Sequence, residues 1–265
     1  ADDRRPNPRA FALMVDALRA NGWDGCCSDA RPFGATGRMR AYCDWQNALV
    51  RPAELAANRF VEIPALHQTG VFTREAIVTV LAATRGCYRD GPAPFAGDEG
   101  AVGATLDVPV DLWWWLEFFA RGLACGRVRS PPTTGEEDLP ETALFGWRQH
   151  PRQKTRVHGR LSLENLRAIK LDAFLRAYEP RRVIIISVGR TLEAWASEMR
   201  AHARAPDSVE TVEWRPSKRQ HAEDCPPQIL AKDCVRAFAY GDARARQRVR
   251  LRVPDWDDAR DAFVA

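Results

Sequence analysis

Five arginines stand at every second position, Arg244, Arg246, Arg248, Arg250 and Arg252. A guanidinium forks carboxylates and phosphates with paired donors, so a row of them is a surface built for acidic protein or phosphate. Period two puts all five on one face of an extended strand and Ala245, Gln247, Val249 and Leu251 on the other, with Val253 continuing the row. The spacing therefore predicts a half-buried strand over 244–253 with an Arg ladder, either a solvated outer face or one that grips a partner. A second basic feature is Gly189-Arg190-Thr191, between an apolar run and a helical pattern. Free amides and the dipole at a helix N-terminus favour phosphate, and Arg190 adds charge. Contact of that kind would be with nucleic-acid backbone, independent of sequence and sensitive to salt. The other reading of Thr191 is a plain helix cap.

Catalytic chemistry leaves fewer traces. The chain has no Gly-x-x-x-x-Gly-Lys loop, no Gly-x-Gly-x-x-Gly and no Gly-x-Ser-x-Gly elbow. Gly97–Gly103 is glycine-containing but lacks the strand and helix that a phosphate cradle needs. A metal-dependent nuclease of the restriction-endonuclease type would place Glu-x-Lys on a strand to hold metal and activate water. Lysine occurs only at 154, 170, 218 and 232, and Arg152, Ala168, Pro216 and Leu230 stand two residues before them. Glu117 is the one well-placed carboxylate, and alone it makes no site. Seven cysteines include only one close pair, Cys26-Cys27, and five histidines include no His-x-x-x-His pair. Zinc and a secreted disulfide framework are disfavoured, and no metal or cofactor is expected.

The elements that must position these residues emerge from the pattern. Phe11, Met14, Val15 and Leu18 lie at helical spacing, with Pro8 in the first turn and Gly22 as the stop. Thr73 begins a helix through Ile77, Val80 and Leu81 that Gly86 closes, and 90–103 reads as loop. Leu112–Phe119, rich in aromatics, reads as a buried strand. Ser162 caps a helix with Leu163, Leu166, Phe174 and Tyr178 on one broad face, ended by Pro180. Val183–Val188 is β-branched on both faces, as a central covered strand requires. A second helix follows from Thr191 with Leu192, Trp195, Ala196 and Met199 inward, and then a strand over 209–214. Helix, buried strand, helix, strand describes an α/β layer with right-handed crossovers.

The 265 residues hold 39 Lys and Arg against 35 Asp and Glu, and 35 of the basic residues are Arg. Either Arg-rich codon usage or selection for interfaces accounts for that bias. No apolar run reaches spanning length and no signal peptide opens the chain. The opening Ala1-Asp2-Asp3 suits an intracellular product that has lost its initiator Met. Pro216, Pro226 and Pro227 suggest a boundary near 210, giving domains 1–210 and 211–265. Residues 46–105 and 126–160 read as insertions.

The tail carries a resemblance. Pro227-Gln-Ile229, a short gap, Asp233-Cys-Val235-Arg-Ala-Phe238, then Gly241 and the 244–253 run resemble the closing signature of the fifth-subunit family of eukaryotic DNA-directed RNA polymerases, which has a smaller archaeal homologue. That signature reads Leu-Pro-Arg-Ile, Asp-Pro-Val-Ala-Arg-Tyr, Gly, and a Val-Val-Lys-Ile strand. Phe11–Gly22 looks like the family's opening helix, and Trp115-Leu-Glu-Phe118 resembles its Trp-Val-Glu-Phe strand. The 163–178 helix, 183–188 strand and Thr191 helix follow the order of its jaw domain. Cys234 replaces the motif proline, Arg236-Ala237 stand for Ala-Arg, and Leu192-Glu193 stand for Pro-Ser. The member resembled is strongly diverged.

The resemblance implies an α/β jaw-type N-terminal domain, an inactive restriction-endonuclease-like layer, and a small α+β assembly domain. It implies a non-catalytic transcription subunit, nuclear or in a viral particle or factory, anchored on the largest polymerase subunit beside downstream duplex DNA. Anchoring residues would be Asp233, Val235, Arg236, Arg246, Arg248 and Arg250, with Val235, Phe238, Val249 and Leu251 packing internally. The DNA-proximal residues would be Gly189, Arg190 and Thr191. A nuclease-fold protein and a stand-alone nucleic-acid-binding module are the competing readings.

Overall fold

The computed structural model describes residues 3–34, 37–82, 91–92, 107–130, 143–149, 161–216, 225–253 and 255–265. In chain order the elements are α1 (Ala10–Asn21), β1 (Gly25–Ser28), β2 (Arg31–Phe33), α2 (Gly37–Ala48), α3 (Pro52–Ala57), β3 (Gly70–Phe72), α4 (Arg74–Ala82), β4 (Gly91–Pro92), β5 (Asp107–Val108), α5 (Val110–Ala120), β6 (Cys125–Val128), β7 (Gly146–Arg148), α6 (Leu163–Tyr178), β8 (Arg182–Ser187), α7 (Gly189–Ala201), β9 (Ser208–Glu213), β10 (Val235–Ala239), α8 (Ala243–Arg252) and β11 (Asp261–Val264). The chain is mixed α/β. It divides into one unit of Ala1–Arg59, Ile63–Asp90 and Pro109–Leu161, and a second of Phe60–Glu62, Gly91–Val108 and Ser162–Ala265. No boundary falls near 210, because β9 and β10 flank β8 in one sheet. The stretches read as insertions supply α3, β3, α4, β6 and β7 of the first unit.

In the first unit β1 is the middle strand, antiparallel to β3 and parallel to β6. Its core is α5, buried without a break from Leu112 to Phe119. That run was expected as a strand. It is a helix because Pro109 sits at the N-cap, Asp111 complements the first turn, and eleven residues span three turns before Gly122 at φ 71° stops it. A helix apolar on every side carries no amphipathic period and must be wholly buried. The rings of Trp114, Trp115 and Phe118 pack around Phe72 at centroid distances of 5.0, 5.6 and 5.7 Å. The Trp115 Nε1–H donates to the Ala65 carbonyl at 2.7 Å. Buried Arg127 on β6 donates to the carbonyls of Leu49, Ser28 and Pro64 at 2.8, 2.8 and 2.7 Å, tying the strand to the end of β1 and to two loops.

Helix α1 ends at Gly22 in the left-handed region, as its sequence predicts. Thr73 caps α4 by accepting the Ala76 N–H at 3.1 Å. The stop expected at Gly86, the 93–103 loop and Gly97–Gly103 lie outside the described residues.

The second unit is built on a parallel sheet in the order β11-β10-β8-β9. Val183–Ser187 on β8 are all buried, as a central parallel strand requires. Ser162 caps α6 by accepting the Asn165 N–H, and Phe174 of that helix packs edge-on against Phe60. Leu163, expected on the inner face, is 82 % exposed because it occupies the first turn, ahead of the buried stretch from Ile169 to Leu175. Glu179 takes φ 40° to end the helix, since the residue before Pro180 is barred from helical geometry.

The 244–253 strand is the second correction: these residues form α8. Asp242 accepts the Ala245 N–H at 2.7 Å as an N-cap, and Ala, Arg, Gln and Leu are good helix formers. The informative period was Ala245, Val249 and Val253 at i, i+4 and i+8, the last two buried. Successive alternate arginines therefore spiral around the helix instead of sharing a face. Leu251, expected in the core beside Val249, is 74 % exposed.

Polar substitutions separate helix from strand. Leu251→Asp should change stability by no more than about 0.5 kcal/mol, whereas Val249→Ala should cost about 1–3 kcal/mol, read as urea-unfolding midpoints. Equal losses at both positions would restore the strand.

Candidate functional site

The residues singled out for DNA lie at the carboxyl end of the second unit's parallel sheet, whereas Asp233 and Val235, singled out for assembly, lie at its amino end. From the adjacent central strands β8 and β10 the chain runs outward, through α7 to β9 and through α8 to β11. With right-handed crossovers the two helices fall on opposite faces, and the strand order reverses between β8 and β10. Ligands of open α/β sheets are held at such a switch point. Gly189, Arg190 and Thr191 lie at the end of β8, and Gly241 and Asp242 lie beyond the end of β10. Nothing local in the sequence pairs these two segments.

Their chemistry is constrained. Thr191 is the third residue of α7 and not its cap; Val188 holds the N-cap position without a side-chain bond. Gly189 turns the chain with φ 51°, a left-handed value glycine adopts without strain, so the helix begins two residues earlier than expected. Its N–H donates to the Glu213 carboxylate at 3.2 Å, so a carboxylate of the fold already holds the first amide that a phosphate would use. Arg190 is exposed. There the Ser187 hydroxyl at the end of β8 donates to the Ala239 carbonyl of β10, and the Tyr240 hydroxyl donates to the Trp214 carbonyl just past β9.

The expected anchoring residues point mostly inward. Arg236 on β10 is completely buried. Its Nε and Nη2 fork the Asp261 carboxylate at 2.5 and 2.6 Å, and Nη1 reaches Asp255 at 3.1 Å and the Ile229 carbonyl. Burial alone would lower the pKa of Arg236, but the hydrogen bonds and charges of Asp261 and Asp255 raise it overall. Arg246 is buried and donates to the Tyr240 and Gly241 carbonyls at 2.9 and 2.7 Å; desolvation brings its pKa down to about 10. Arg248 donates to the Pro216 carbonyl at 3.1 Å. Arg250 pairs with Asp258 at 2.8 Å and lies 4.5 Å over the Trp256 ring. Both oxygens of Asp233 accept from Arg182 at 2.8 Å, and Arg182 also donates to Glu210 at 2.7 Å. Val235 is half-buried in register with Val183, and Phe238 is buried. The outward side of α8 is left to Arg244, Gln247, Arg250 and Leu251.

Other titratable groups are likewise fixed in place. Glu117, expected on a strand, sits on α5 and pairs with Arg121 at 3.2 Å. Lys170 is buried and donates to the Val61 and Ala265 carbonyls at 2.7 and 2.6 Å, its pKa lowered by desolvation. The His202 Nε2 stands 3.5 Å from Asp172, while its Nδ1 accepts the Arg204 N–H at 3.0 Å. Six cysteines are free and buried; Cys87 lies outside the described residues. The Cys27 thiol is pushed up by burial but brought down overall, to about 7, by its hydrogen bond with Cys125 and by the Arg127 charge. Spacing rules missed that pair because the two residues meet only across β1 and β6. Among the described residues no cluster of three His, Cys, Asp or Glu side chains is placed to hold a metal ion. No described helix is long and apolar enough to cross a membrane.

Comparison with protein-family models, with curated proteins and with solved structures finds no match to this chain.

The buried fork sets two expectations. Asp261→Ala should destabilise the fold by about 3–5 kcal/mol by stranding Arg236, and the double change Arg236→Met with Asp261→Leu should recover most of that loss in urea titrations. The carboxyls of Asp172 and Asp255 have depressed pKa values; burial opposes the shift, and His202 with Arg176, and Arg236 with Arg260, overcome it. Their stabilisation is complete above the ordinary carboxylate range and is lost as pH falls through the depressed values. The urea midpoint should therefore drop between about pH 5 and pH 2.

Proposed function

We propose that this chain is a non-catalytic subunit of a multisubunit DNA-directed RNA polymerase, a strongly diverged relative of the fifth-subunit family. The observation that carries the reading is the tail from Pro227 to Ala265. Within it Arg236, which stands where the signature has Ala, joins the Pro227–Leu230 turn, β10, the Asp255 loop and β11 through one side chain. A tail tied at four points is a rigid block, as an assembly module has to be. The jaw-type reading of the α/β layer comes with the same proposal, supported by the order helix, buried strand, helix, strand over 163–213. Two strands of the resemblance, at 112–119 and 244–253, are helices here, the second of them inside the tail, so the weight rests on Pro227–Phe238.

Anchoring on the largest subunit moves from the inward arginines to the outward side of α8. Arg244, Gln247 and Leu251 lie at i, i+3 and i+7 on one exposed stripe, a charged and apolar face of the kind a helix offers to a groove. Gly189–Thr191 remains the DNA-proximal candidate, through Arg190 and contact with the phosphate backbone, with Glu213 as the group to be displaced.

Affinity purification of the tagged native chain should bring down the polymerase subunits in stoichiometric amount. The paired substitution Arg244→Glu with Leu251→Asp should lower that recovery at least tenfold while circular dichroism stays unchanged. Recovery of the chain alone, or cleavage of DNA by the purified protein with magnesium or manganese, would overturn the proposal.

A further inference from the structure

β9 is the outermost strand of the second unit's sheet, and half of its backbone has no ladder to join. Ser208 N–H donates to Arg181 O, and Trp214 N–H donates to Ser187 O, so the even-numbered peptide groups turn toward β8. In a parallel ladder the alternate residues then face outward, here Val209, Thr211 and Glu213. Among the described residues one bond guards this edge, from the Arg200 guanidinium to the Val209 carbonyl at 3.1 Å. Thr211 and Glu213 are exposed. The strand is six residues long, with no proline and only two charges, which is a long and lightly defended edge.

We propose that two copies of the chain pair antiparallel along β9, with the two-fold axis at Thr211, so that the two four-stranded sheets join into one. This goes beyond the polymerase reading and stands without it. The sequence Ser208-Val-Glu-Thr-Val-Glu213 selects both the occupant and the register. Outward peptide groups must face outward peptide groups, which permits centres at Glu210, Thr211 or Val212. A centre at Glu210 sets that carboxylate directly against its own copy, which is destabilising. A centre at Val212 carries Arg215, past the strand end, into the ladder and leaves Ser208 unpaired. Centred on Thr211, residues 209–213 pair among themselves and Ser208 falls opposite Trp214, one residue past the strand end. Thr211 meets Thr211, Val209 meets Glu213, and Glu210 meets Val212 of the second copy. Hydroxyl pairs across strands are favourable, and no like charges stand opposite one another. The Glu210 carboxylate is already neutralised by Arg182 at 2.7 Å, so bringing two copies together adds little repulsion there.

Sedimentation equilibrium of the full chain should show a reversible dimer. Thr211→Glu places two carboxylates face to face at the axis, and Thr211→Pro removes an outward N–H from an edge strand, where proline is tolerated. Each should raise the dimer dissociation constant at least tenfold with circular dichroism unchanged; should the proline variant misfold, the glutamate variant decides alone. Register is read by cross-linking with oxidised glutathione. A hydrogen-bonded antiparallel pair sets Cα atoms about 5.5 Å apart, within disulfide range. Thr211→Cys should give a 211–211 disulfide dimer, identified by peptide mass, and Glu210→Cys should not. A monomer at every concentration, a dimer indifferent to both Thr211 variants, or equal cross-linking at 210 and 211 would overturn the proposal.

Discussion

A charge taken out of water must be met by opposite charge and by hydrogen bonds, or the fold that buries it fails. In the second unit Arg236 sets that condition. Its fully buried guanidinium is matched by Asp261 in register on the neighbouring strand and by Asp255 in the intervening loop. The pairing of β10 with β11 and the path of the chain between them follow from satisfying one side chain. Arg127 in the first unit and Arg246 at the end of β10 are satisfied differently, by backbone carbonyls, most of them in loops. Five donors in a fixed fork suit this work better than an ammonium does. The arginine excess therefore has a use inside the molecule, at these three buried positions, whatever raised the overall count.

What was legible in the sequence was whatever had a single environment on each side. β8 is apolar on both faces and is covered on both. Ser162 and Gly22 announce their helix ends through local chemistry, and Thr73 does the same for α4. The two misread stretches share a cause. In α5 every residue from Leu112 to Phe119 except Glu117 is apolar, so a helix and a strand leave the same trace, and only the flanking Pro109 and Gly122 discriminate between them. In α8 the alternation of arginine dominates the pattern, while the shorter signal from Ala245, Val249 and Val253 decides the structure. Long arginine stems can lie on either side of a helix, buried like Arg246 or exposed like Arg250, so their spacing says little about which face is covered.

Contacts between distant segments had no sequence signal. The meeting of the Gly189 turn with the Gly241 turn is a property of strand order, and the partnership of Cys27 with Cys125 is a property of register between β1 and β6. The same holds for the charges that looked free in the sequence. Arg248 and Arg250 spend their donors on Pro216 and Asp258. A parallel layer with a switch point hosts many functions, so its presence weighs less than the tail residues in deciding what the chain does.

The all-parallel sheet has a temporal consequence. No two of its neighbouring strands can close through a tight turn. The bond that joins the ends of β8 and β10 links residues 52 apart in sequence, and the Arg236–Asp261 fork links residues 25 apart. Loop-closure entropy must be met before either bond forms, which makes such a layer slow to assemble and dependent on late-arriving segments. Until β11 is in place Arg236 lacks its main counter-charge, so the early intermediates of this unit carry an unmet positive charge in a nascent core. Chaperone capture and proteolytic loss during synthesis would then be governed by when residues 255–261 reach that core, and substitutions there would lower the yield of folded protein as well as its final stability.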